Sequence, residues 1–193
     1  MKSKFFTIIL ISSIVWASAG YDNGTSTGRG KFKIDITWNP FKKFDFGQSY
    51  IVMSYGFTEN FDFHGYISKH PEGFYTYYYG LFYQFFDSDK LDLATAIGAR
   101  KNLQDKKINH LFLPQLLFTR KVTQNLSFGG SIVGVSDYST KINTALDIGA
   151  TYKLKYKSNA IESISLSFGG FHPATWKPSS FFLPTYSIDI KFN

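Results

Sequence analysis

Cysteine is absent from all 193 residues, which excludes disulfide staples, thiolate metal centres and a cysteine nucleophile. Past the N-terminus there is no run of the roughly 20 apolar residues that a membrane-spanning helix requires. Linkers, low-complexity tracts and long runs of one charge are also missing, so nothing divides the chain into domains. The single apolar run, Phe5 to Trp16, follows Lys2 and Lys4 and leads into Ala17-Ser18-Ala19. It is too short for an anchor and has the layout of a secretory signal peptide, residues 1–19, cut before Gly20. Residues 20–193 then form one exported domain. Removing Lys2 and Lys4 lowers the excess of basic over acidic side chains from seven to five, too little for a nucleic-acid-binding stripe.

Aromatic residues are abundant: 19% of the chain is Phe, Trp or Tyr, yet the mean hydropathy is −0.14. Many rings without overall hydrophobicity fit strands with one apolar and one polar face. Ten segments alternate in this way: Lys31 to Trp38, Ser49 to Phe57, Phe61 to Lys69, Phe74 to Phe85, Leu91 to Lys101, His110 to Thr119, Leu126 to Ser136, Ile142 to Leu154, Ile161 to Phe171 and Phe181 to Phe192. The first sets Phe32, Ile34, Ile36 and Trp38 against Lys31, Lys33, Asp35 and Thr37. The sixth is apolar on both faces and contains Pro114, which fits a bulge better than a central ladder; Phe112, Leu116 and Phe118 are placed outward. Connections after the second, fourth, sixth and eighth segments are short, and those after the first, fifth and ninth are longer. Two short turns share their chemistry: Phe57-Thr58-Glu59-Asn60-Phe61 echoes Val122-Thr123-Gln124-Asn125-Leu126, where Thr can bond its own backbone and Asn tolerates positive φ.

These features predict an all-β, closed, antiparallel up-and-down transmembrane barrel of about ten strands, with eight or twelve as alternatives. A soluble barrel or sandwich is the rival. It would bury Trp38, Tyr75, Tyr77, Tyr79, Tyr83, Phe85, Phe128, Phe168, Tyr186 and Phe192 and show water a face rich in Gly, Ala, Ser and Asp. Bulk outside and small residues inside is the membrane arrangement. The last strand, Pro184-Thr185-Tyr186-Ser187-Ile188-Asp189-Ile190-Lys191-Phe192-Asn193, resembles the terminal signature of small Gram-negative outer-membrane β-barrel proteins, except that those usually end on the aromatic residue itself. The resemblance implies an outer-membrane location, both termini in the periplasm, and recognition of this strand by the barrel-assembly machinery.

The lumen candidates are Lys31, Lys33, Asp35, Asp62, Arg100, Asp147, Lys153, Asp189 and Lys191, together with Asp92. Closure of the first strand on the tenth places Lys31, Lys33, Asp35, Asp189 and Lys191 in an ion-pair network across the seam. One wall is small: Ala94, Ala96, Gly98, Ser127, Gly129, Ser131, Ala145, Gly149, Ser163, Ser165 and Ser167; Tyr66 and Tyr78 stand opposite. No long inserted loop is available as a plug. His70, His110 and His172 fall at one rim, but without the local spacing of a metal site, so no metal or cofactor is expected. Ser68-Lys69-His70 is the one fragment suggesting a hydrolase, and it lacks a matching acid pair. The loop lysines, Lys42, Lys43, Lys69, Lys101, Lys106, Lys107, Lys141 and Lys177, make the outer rim basic and suited to lipopolysaccharide phosphates. The function expected is a narrow channel for passive passage of small hydrophilic solutes. A structural or interaction barrel with a filled lumen is the alternative, and a membrane-embedded hydrolase a more distant one.

Overall fold

The computed structural model describes residues 23–40, 48–69, 73–138, 142–156, 158–172 and 183–193; the signal-peptide segment and His70 lie outside them. Ten strands follow in order: β1 (Phe32–Asn39), β2 (Gln48–Gly56), β3 (Phe61–Lys69), β4 (Tyr75–Asp87), β5 (Leu91–Asn102), β6 (His110–Lys121), β7 (Leu126–Ser136), β8 (Ile142–Lys153), β9 (Ile161–His172) and β10 (Leu183–Phe192). Each pairs antiparallel with its sequence neighbours, and β1 pairs with β10 to close the barrel. The seam runs from Phe32 opposite Phe192 to Trp38 opposite Tyr186. Ring pairs brace it at both ends, with centroids 6.2 Å apart for Phe32 and Phe192 and 5.8 Å for Trp38 and Tyr186.

The connections after β2, β4, β6 and β8 lie at one end, the turn end, with residues 31 and 193. The echoed turns are alike almost bond for bond. The Thr58 hydroxyl accepts from the amides of Asn60 (3.2 Å) and Phe61 (3.0 Å), and the Phe57 amide donates to the Phe61 carbonyl (2.9 Å). Thr123 likewise accepts from Asn125 (3.2 Å) and Leu126 (2.9 Å), with Val122 donating to the Leu126 carbonyl (2.9 Å). The asparagines do not take the positive φ expected of them: among the described non-glycine residues only Tyr138 does, at 67°. The threonine hydroxyl, together with the backbone bonds to the Phe61 and Leu126 carbonyls, closes the turn without a left-handed asparagine.

Three bulges reset which residues face in. In β6, three residues separate Phe112 from Leu116, while only two separate their β7 partners Val135 and Ile132; the extra residue lies around Pro114, whose lack of an amide makes the ladder break there. The inward parity therefore changes, and Phe112 is buried at 3% exposure rather than outward, whereas Leu116 faces out as expected. In β9, Lys191 pairs with Ser163 and Phe192 with Ile161, leaving Glu162 as the extra residue. In β4, Phe85 is the extra residue, and both it and Phe86 lie outward.

Ile36, Ile51, Leu81, Ile97, Leu116, Ile132, Ile148, Leu166 and Ile188 are all exposed around the outside of the wall. No helix among the described residues is long and apolar enough to cross a membrane; the strands are the elements that cross. A closed wall with a continuous apolar outer band is the surface of a membrane-spanning barrel. Ile188→Arg or Ile148→Arg is therefore expected to cost about 2–4 kcal/mol near the bilayer midplane, measured by reversible unfolding in lipid vesicles. Gln104→Arg in the exposed β5–β6 loop should be neutral, and equal tolerance at all three positions would contradict a lipid-facing band.

Candidate functional site

Ten strands enclose a lumen that is too wide to close by backbone contact and narrow enough to be crossed by side chains. Its turn end holds a vestibule of about 780 Å³, whose lining includes Lys33, Lys153, Lys191, Ser163, Ser165 and Thr151. Deeper in the lumen lies a cavity of about 60 Å³ bordered by Lys33, Asp35, Thr37, His64 and Gln115. Asn23, Thr25, Thr27 and Lys33 border both spaces.

The seam register puts like charges opposite each other: Lys33 faces Lys191, and Asp35 faces Asp189. Direct opposition of like charges is unfavourable, and the side chains pair elsewhere. Lys33 reaches Asp189 at 3.1 Å. Lys31 and Lys191 turn instead to Glu162, at 2.6 Å and 3.2 Å. Glu162 is absent from the sequence-based network because strict alternation points it outward; the β9 bulge brings it in. Its signal was present, since Ile161-Glu162-Ser163-Ile164 sets two polar residues where alternation allows one. Asp35 accepts from the Thr37 hydroxyl, and Asp189 also accepts from Ser167 at 3.2 Å.

The other candidates lie further round the wall. Asp147 accepts from the Ser131 hydroxyl (2.6 Å) and amide (3.1 Å). Arg100 is buried with its guanidinium carbon 5.4 Å from the centre of the Phe112 ring. Asp62 accepts from the Thr27 amide at 2.6 Å. Lys153 stands exposed on the vestibule wall. Asp92, fully buried, pairs with Lys121 at 2.7 Å.

Aromatic side chains occupy much of the inner wall from β2 to β6. Tyr66 stacks on Tyr78 at 5.1 Å, Tyr78 meets Phe112 edge-on at 5.0 Å, and Tyr50 meets Tyr66 edge-on at 5.3 Å. Tyr78 lies flat over Gly80 and Gly98, where any Cβ would collide with its ring. Its hydroxyl bonds His64 Nε2 at 2.9 Å. Val133, Val135 and Ala145 complete one buried cluster with Tyr50, Tyr66, Tyr78 and Phe112. Sequence reasoning had Tyr66 and Tyr78 inside, but neither Tyr50 nor Phe112.

Among the histidines, His64 is stacked in the wall and His110 is buried. Among the described residues no three His, Asp or Glu side chains gather in a metal-binding arrangement. Ser68 is fully buried, with its hydroxyl bonded to Thr76 at 2.7 Å.

A lumen element not foreseen in the sequence is the N-terminal segment itself. Residues 24–30 run along the inner wall at the turn end, from β6 past β5, β4 and β3 to β2. The Gly24 amide donates to Thr119 Oγ1 (3.0 Å), the Thr25 hydroxyl reaches Asp92 (2.7 Å), and the Ser26 amide donates to Gln84 Oε1 (2.7 Å). Thr27 follows on Asp62, and Gly30 donates to the Gly56 carbonyl at 2.8 Å.

The inward placement of Glu162 predicts measurable coupling with Lys191. A double-mutant cycle of Glu162→Gln and Lys191→Met, followed by urea unfolding in detergent micelles, should give about 0.2–1 kcal/mol, screened by salt as for a half-exposed pair. Zero coupling at low salt would place Glu162 on the outer face.

No family model matches the chain, and no curated protein matches it. Among solved structures it is similar to one described as "KdgM porin", at 8% identity and a TM-score of 0.43, covering 84% of this chain and 98% of that one. It is also similar to one described as "De novo design of transmembrane beta-barrels", at 11% identity and a TM-score of 0.34, covering 90% and 98%.

Proposed function

We propose that the chain is an outer-membrane barrel providing a narrow passage for small hydrophilic solutes, shut at rest. The observation that carries this reading is the pair of spaces in series, the vestibule and the deeper cavity, lined mainly by Thr, Ser, Asn, Lys and Asp and meeting at Thr25, Thr27 and Lys33. Hydroxyls of Ser163, Ser165 and Thr151 can replace part of a solute's hydration, and paired charges of both signs give weak ion selectivity. The aromatic cluster around Tyr78 is the barrier on the far side, because an apolar constriction excludes water until it widens. The expected signal peptide and terminal strand support the outer membrane, with periplasmic termini and the assembly machinery as partner. Lipopolysaccharide at the basic rim belongs to the same proposal.

A second reading is a structural or interaction barrel whose lumen stays filled. It is favoured by the exposure of Tyr50, Val133 and Ala145, all at 1% or less. A hydrolase gains no support from Ser68, whose hydroxyl is sealed against Thr76.

Planar-bilayer recording separates the readings. Wild-type barrel should show small, infrequent conductance steps. Tyr78→Ala combined with Phe112→Ala should make them larger and more frequent, and Ser165→Trp should diminish them by intruding on the vestibule. Folded protein that never conducts, even with Tyr78 and Phe112 truncated, would overturn the passage in favour of the filled barrel.

A further inference from the structure

Residues 24–30 lie along the inner wall of β6 to β2 and border both the vestibule and the deeper cavity, and we infer that they form a displaceable strap that gates access between the two. The inference goes beyond the passage proposed above and rests on it only for the consequence on conductance.

The geometry is that of a seated element and not of a loose leader. Gly24 lies so close to the wall that a Cβ there would come 2.8 Å from Phe118 Cα and 2.9 Å from the Asp92 carbonyl oxygen. At the other end a Cβ on Gly56 would meet the Gly28 carbonyl oxygen at 1.9 Å. Gly28 and Gly30 have φ of 85° and 72°, left-handed values that glycine adopts without strain and that turn the chain out of the lumen into β1. Between these ends Thr27 is buried, and its amide sits on Asp62.

The strap's attachments are also of a releasable kind. Its donors to the wall are neutral amides and hydroxyls: Gly24 on Thr119, Thr25 on Asp92, Ser26 on Gln84 and on the Glu59 carbonyl, Thr27 on Asp62 and Gly30 on the Gly56 carbonyl, with the Thr119 hydroxyl also 3.0 Å from that of Thr25. The strap carries no apolar side chain larger than the threonine methyl, so leaving the wall exposes little hydrophobic surface. Water from the adjoining vestibule can take over each bond. Local opening of such a segment needs far less free energy than unfolding the barrel. Expected cleavage before Gly20 would leave it tethered only through β1.

The test uses the absence of native cysteine. Ser54 borders the deeper cavity, and Ser165 borders only the vestibule. In the refolded full-length mature protein, Ser54→Cys should react slowly with a small hydrophilic methanethiosulfonate, and Ser165→Cys quickly. Adding Gly24→Val, which forces the strap off the wall without altering a strand, should speed labelling at Ser54→Cys by about tenfold or more, as expected when a local opening controls access, and leave Ser165→Cys unchanged. Deleting residues 20–28 should do the same. A disulfide between Thr25→Cys and Thr119→Cys, whose hydroxyls are 3.0 Å apart, should slow labelling at Ser54→Cys below the wild-type background, with recovery on reduction. Equal labelling of Ser54→Cys in all these backgrounds would overturn the strap, whatever the conductance. Faster labelling with no conductance even when Tyr78 and Phe112 are truncated would keep the strap and reject the passage.

Discussion

Hydrocarbon offers no hydrogen-bond partner, so every amide and carbonyl in the membrane-crossing wall must be paired within the wall, and the sheet must close on itself. The β1–β10 seam satisfies that requirement, and its register constrains the polar interior. With Phe32 opposite Phe192, the inward residues of the two strands can only meet as Lys33 with Lys191 and Asp35 with Asp189. A slip of one residue would exchange the faces and carry these charges into lipid. The interior therefore accommodates the like-charge pairs: Lys33 leans to Asp189, and the bulge in β9 turns Glu162 inward between Lys31 and Lys191. The bulge is thus tied to the electrostatics of closure.

Closure also leaves a space to fill, and it is filled unevenly. From β2 to β6 the wall carries Tyr50, Tyr66, Tyr78 and Phe112, which pack on one another. Gly80 and Gly98 matter here because they let the Tyr78 ring lie along the wall, its hydroxyl held by His64. At the turn end, β8 and β9 contribute Thr151, Ser163 and Ser165, which stop short of the axis and leave the vestibule. The aromatic wall and the vestibule are two outcomes of the same choice of residue volumes on opposite sides.

The strand set, its order and the outward band were legible in the sequence because period-two alternation reports burial directly. So were the inward directions of Asp35, Asp62, Asp147 and Asp189, which sit in uninterrupted stretches of alternation. Phe112 and Glu162 were misplaced or missed because a bulge shifts parity, and alternation read across a bulge points the residues on one side of it the wrong way. Pro114 marked one of these irregularities; the adjacent polar pair Glu162-Ser163 marked the other. The strap was illegible for a different reason. Gly24-Thr25-Ser26-Thr27-Gly28 has no periodicity, and its place depends on wall carboxylates that converge only once the barrel has closed.

Those carboxylates explain why uncharged donors at Thr25 and Thr27 suit this end of the lumen; the strap's one charged side chain, Arg29, is exposed and takes no part in either contact. Asp62 and Asp92 are buried on β3 and β5, and a buried carboxylate without partners is costly. Lys121 serves Asp92 directly at 2.7 Å, while Asp62 has the backbone amide of Thr27 at 2.6 Å. The strap also adds the Thr25 hydroxyl to Asp92. A cationic side chain at Thr25 or Thr27 would bind the carboxylate more tightly, but on leaving it would strip the site of a charge. With neutral donors, departure removes one hydrogen bond from each carboxylate, water from the vestibule replaces it, and Lys121 stays on Asp92. The difference in free energy between seated and displaced states is thereby kept small, which is the condition for an element that opens without unfolding the wall.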